Sequence, residues 1–189
     1  VLVSPAQAQS KANIIPVITF GDVPITEGIK NLARQAGINN FMIEPNIFKQ
    51  PEPTVSFRWE NITAKSALER MLKEQGLFIV ENPQTGVAHI SNTNLPPRKF
   101  DEDFIGSGTN AVIPLIAMDS VSLKDALVNL VRMSKGEIEI DPKLATSGVD
   151  ISVRLQNLTP KQALAAICEN YNLQITKDEK SGVWRISPY

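Results

Sequence analysis

A chain of 189 residues accommodates one large domain or two small ones of below about 100 residues each. Hydrophobic residues at 42% and charged residues at 21% match the globular average and exclude a disordered or fibrous chain. With 19 basic against 20 acidic residues and no long basic run, the electrostatic footprint of a nucleic-acid binder is missing, and no apolar stretch reaches the roughly 20 residues of a membrane-spanning helix.

The opening "VLVSPAQAQS" pairs an apolar start with small residues at Ala6 and Ala8. Residues 1–13 therefore read either as a flexible or trimmed terminus or as the remnant of a secretory signal cleaved before Gln9. "VITF" at Val17 to Phe20 is a short apolar run, predicted as a strand. Ile25, Ile29, Leu32 and Ala33 then recur at i, i+4, i+7 and i+8, one stripe of a helix. "FMIE" follows, closed by Pro45, and next comes an alternating strand with Val55, Phe57 and Trp59 on one face and Ser56 and Arg58 toward water. Thr63 is placed to cap a second helix, whose buried stripe is Ala67, Leu68, Met71 and Leu72. Leu77 to Val80 and Val87 to Ser91 close the unit as two strands joined by the turn-rich "ENPQTG". Residues 93–110 are rich in proline, glycine and charge and read as a linker.

Beyond that linker the chain repeats itself. "NLTPKQAL" at Asn157 to Leu164 echoes "NITAKSAL" at Asn61 to Leu68, 96 positions earlier. "IPLI" at Ile113 to Ile116 echoes "IPVI" at Ile15 to Ile18 at an offset of 98, and Asp141-Pro142 echoes Glu44-Pro45 at 97. A register this long means two copies of one unit. The second copy has the helix stripe Leu123, Leu127, Leu130 and Val131, the strand "IEID", and the alternation Ile151, Val153 and Leu155. In it Thr159, Pro160 and Gln162 form a capping box with proline at the first helical position. The predicted fold class is α+β: two tandem β-α-β-β-α-β-β repeats over 14–92 and 111–189, each with two helices packed on small mixed sheets.

The phrases "ITEGIKNLARQAGINNFMIEPNI" and "NITAKSALERMLKEQGLFIVEN", with this element order, resemble the short domain at the N-terminus of secretins and TonB-dependent receptors, often abbreviated STN. That family's pattern fits both copies, at Ile62 to Leu77 and at Leu158 to Leu173. The resemblance implies a non-catalytic docking module, exported to the periplasm or associated with the outer membrane. Its expected partner is a secretin, pilus or TonB-system component, or a second copy of itself.

His89, the single histidine, falls where the second copy has Arg185 and reads as an exposed polar position; a metal site would need further convergent donors. Cys168 falls where the first copy has Leu72 and reads as a small buried hydrophobe. "GSG" at Gly106 to Gly108 lacks the lysine of a phosphate loop. "NIT" and "NLT" match a glycosylation pattern that helix capping already explains, and Asp101, Glu102 and Asp103 lack the spacing of a calcium loop. No cofactor, metal ligand or catalytic residue is expected. The alternatives are a small enzyme or ligand-binding protein with a site between the repeats, and a KH-like RNA binder, which would need the GxxG loop that is absent. Met42, Phe78 and Val80 occupy outward-phased strand positions where the second copy has Glu139, Gln174 and Thr176. They are the predicted protein-binding residues, with packing against the second repeat, against Phe100 and Phe104, or against a sister chain as the competing explanation.

Overall fold

The computed structural model describes residues 14–45, 47, 48, 51–106, 111–146 and 148–189. The first repeat runs β1 (Ile14–Pro24), α1 (Ile25–Gln35), β2 (Phe41–Ile43), β3 (Thr54–Thr63), α2 (Ala64–Glu74), β4 (Phe78–Asn82) and β5 (Val87–Ser91). A short α3 (Glu102–Gly106) intervenes. The second repeat runs β6 (Ile113–Ser122), α4 (Leu123–Ser134), β7 (Ile138–Ile140), a single 3-10 turn (Pro142–Thr146), β8 (Asp150–Leu158), α5 (Pro160–Asn170), β9 (Leu173–Lys177) and β10 (Trp184–Pro188). The predicted α+β order thus occurs twice.

Each repeat builds an antiparallel pair, β1 with β3 and β6 with β8, and a three-stranded mixed sheet, β2-β5-β4 and β7-β10-β9. The first strands run several residues past the predicted apolar cores, because each carries a bulge, between Phe20 and Val23 and between Met118 and Val121. At each bulge one residue turns to positive φ, Asp22 and Ser120 at 50°. A serine on the facing strand holds it: Asp22 N–H donates to Ser56 Oγ at 2.8 Å, and Ser120 N–H to Ser152 Oγ at 3.0 Å. Those hydroxyls donate onward to Asp22 and Asp119 carboxylates, both at 3.0 Å.

The repeated octet has a structural reason at each end. Asn61 and Asn157 both sit at φ 53°, a left-handed conformation that asparagine tolerates better than most residues. Thr159 then accepts from Gln162 N–H at 3.2 Å while Gln162 Oε1 accepts from Thr159 N–H at 3.0 Å, completing the capping box. Thr63 accepts from Ser66 N–H at 3.1 Å.

The compact units do not follow the repeat boundaries. Among the described residues, those of 14–37 and 48–72 form one unit, and those of 38–47 and 73–189 form the other. In the first, Ile25, Ile29, Leu32 and Ala33 of α1 and Leu68, Met71 and Leu72 of α2 are buried, as are Val55 and Trp59 of β3. Gly28 faces Met71 Sδ so closely that a Cβ there would stand 3.2 Å from the sulfur. In the second unit, sheet β2-β5-β4 of the first repeat shares one core with the second repeat, and α5 is the reason. Nine of its eleven residues are buried, against one buried stripe on α2. Ala165 and Ala166 stand where the first copy has Glu69 and Arg70, so α5 is apolar on more than one face and needs cover on both sides.

The segment read as a free linker is strapped down over residues 98–105. Gln84 clamps Phe100 with two bonds, Phe100 N–H donating to Oε1 at 2.8 Å and Nε2 donating to Phe100 O at 2.9 Å. Phe104 is fully buried, edge-on to Trp184 at 5.2 Å. The acidic run caps α3, with Asp101 Oδ1 accepting from Asp103 N–H at 2.8 Å. Ser107 and Gly108 of "GSG", and the signal-like residues 1–13, lie outside the described residues.

Candidate protein-binding surfaces

The three predicted binding residues share one face of sheet β2-β5-β4. Met42 pairs with His89 on β5, His89 pairs with Val80 on β4, and Phe78 lies two residues before Val80. The structure separates their fates. Met42 is 6% exposed and belongs to the core built with the second repeat. It is therefore no docking residue: α5 covers its face of the sheet, which strand phasing alone could not reveal. Val80 is half-buried, and Phe78 remains 40% exposed.

His89, expected at the surface, is covered by the same packing. Its Nε2 lies 3.1 Å from Glu169 Oε2 on α5, with side-chain exposures of 13% and 11%, and its Nδ1 is buried without a partner among the described residues. Glu169 also accepts from Asn82 Nδ2 at 2.7 Å and from Arg98 N–H at 2.8 Å. Burial works against ionisation of Glu169, but the His89 ring, the Arg98 N–H and the Asn82 amide outweigh it and hold the carboxyl below its ordinary range. Arg98 extends the network to the turn after α5 and the start of β9, donating to Leu173 O at 2.7 Å and to Asn172 Oδ1. Asn170 Nδ2 donates to Ile43 O at 3.2 Å, and Asn40 bonds Gln156 twice, accepting from its N–H at 2.7 Å and donating to its C=O at 2.9 Å.

Chemically this cluster is a clasp. Cys168, next to Glu169 in sequence, is fully buried, and desolvation pushes its thiol far above the ordinary value, leaving a protonated hydrophobe as its sequence position predicted. Among the described residues no group of three or more His, Cys, Asp or Glu side chains could hold a metal ion. No helix among them is long and apolar enough to cross a membrane.

A second surface was not anticipated. Between α4 and β7 runs an open groove walled by Val128, Val131, Ile138 and Ile140, with Lys124, Arg132 and Asp141 at its rim. Val131, assigned above to the buried stripe, is half-buried and lines this groove. The available signal was a contrast between copies, since Val128 stands where the first has Lys30. Comparison with family models, curated proteins and solved structures finds no match to this chain.

Proposed function

We propose that this protein is a non-catalytic interaction module of the cell envelope, similar in role to the N-terminal short domains of secretins and TonB-dependent receptors. In this reading it is exported and docks a secretion, pilus or transport component. The observation that carries the reading is the doubled β-α-β-β-α-β-β order, the order that the resemblance implies, with three-stranded sheets whose outer strands β2, β4, β7 and β9 pair on one side only among the described residues. Unpaired strand edges are templates for strand addition from a partner. Phe78 on β4 supplies an exposed apolar side chain beside one such edge. The polar residues that converge in the second unit are engaged with one another, which suits a rigid scaffold.

Affinity capture of the tagged full chain from its native envelope tests the reading. A photo-crosslinking side chain at Phe78 should trap an envelope secretion, pilus or receptor component. Recovery of the chain from the cytosol, with no envelope protein crosslinked or enriched, would refute it.

A further inference from the structure

Among the described residues strand β7 pairs only with β10, in parallel. Trp184 N–H donates to Glu137 O at 3.1 Å, and Asp141 N–H to Ile186 O at 2.8 Å. Residues 137, 139 and 141 thus turn their backbone groups toward β10, and in a parallel ladder the intervening residues turn theirs away. Ile138 and Ile140 direct two N–H and two C=O groups to the open edge. Their side chains, half-buried, line the groove beside that edge.

The opposite wall is one stripe of α4, formed by Lys124, Val128, Val131 and Arg132 at i, i+4, i+7 and i+8. Its two apolar members are the interior of the stripe and its two cations are the ends. In the first copy the position of Val128 is Lys30, paired with Glu27 at 2.8 Å, so the apolar wall is particular to the second repeat. Lys124 and Arg132 make no ion pair among the described residues. The one carboxylate at the rim, Asp141, accepts from Lys143 N–H at 2.8 Å. Two unengaged cations flanking an apolar trough favour an occupant with carboxylates. Edge-to-edge pairing of two copies at β7 would instead bring these cations toward their own counterparts.

We propose that the α4–β7 groove takes an extended segment of a partner protein, which adds as a fourth strand to sheet β7-β10-β9. The segment places alternate apolar side chains between Val128, Val131, Ile138 and Ile140, and acidic residues against Lys124 and Arg132. Main-chain bonds to Ile138 and Ile140 hold it, and the alternation reads its sequence. The inference rests on the interaction-module reading only for the class of occupant.

Selection of a displayed library of random nonapeptides on the purified full chain tests it. The enriched clones should alternate apolar and acidic residues and shift the amide resonances of Ile138 and Ile140. Val128→Lys, which installs the first copy's residue, should weaken them at least about tenfold through lost apolar contact. Arg132→Glu, at an exposed position, should weaken the acidic clones without touching the core, and keeps the test valid if Val128→Lys fails to fold. No enriched clone, or clones indifferent to both substitutions, would overturn the proposal. So would basic clones that bind the wild type. Envelope capture that survives Val128→Lys would overturn the groove while leaving the module reading in place; groove-binding clones with an empty envelope capture would do the reverse.

Discussion

Replacing Glu169 by alanine removes the acceptor on which three chain segments converge. Asn82 Nδ2 at 2.7 Å and Arg98 N–H at 2.8 Å lose their bonds to it, and the His89 ring loses its neighbour at 3.1 Å. Asn82 keeps its bond to Arg98 O at 2.9 Å, which limits the damage. A bond to a charged acceptor contributes about 1.5–3 kcal/mol net. The expected loss is therefore about 1.5–3 kcal/mol, or roughly 3–12 °C in melting temperature for a chain of this size. A urea melt followed by fluorescence reads it, with Trp59→Phe as background so that Trp184 alone reports the second unit. The pH profile supplies a second readout. The Glu169 carboxyl is held below its unfolded value of about 4.3, so its stabilisation is fully present above that pH and is lost as pH falls through the lower folded value. Glu169→Gln should delete this acid-limb component. A Glu169→Ala protein within about 0.5 kcal/mol of wild type, with an unchanged acid limb, would refute the clasp.

Thr159→Ala removes the side-chain half of the capping box, the bond that Gln162 N–H donates to Oγ1, and should cost about 0.5–2 kcal/mol in the same melt. Ala166→Arg, which copies the first repeat's residue into a fully buried position of α5, should destabilise the second unit by more than about 4 kcal/mol. The reciprocal Arg70→Ala on α2 should change stability far less; equal effects would mean that α5 is not enclosed on both sides.

The local features were legible because they depend on neighbours in sequence. The capping phrase, the helix stripes apart from Val131, and the alternation of Val55 to Trp59 and Ile151 to Leu155 appear in the structure where periodicity placed them. So does the burial of Cys168. The bulges at Asp22 and Ser120 escaped, since each needs a serine from a strand more than thirty residues away.

What the sequence determined by itself was the unit and its duplication: order of elements, helix starts and the inward faces of β3 and β8 all follow from short-range chemistry. What only the tertiary structure decided was which surfaces stay open. Met42 and His89 carry no local mark of burial; Met42 is buried and His89 largely covered because α5, with alanines at 165 and 166, has a second apolar side to cover. The groove beside β7 stays open for the complementary reason: Val128 and Val131 face an edge strand that, among the described residues, pairs only with β10. Exposure belongs to the arrangement of elements, and a periodic pattern specifies a face without specifying what lies against it.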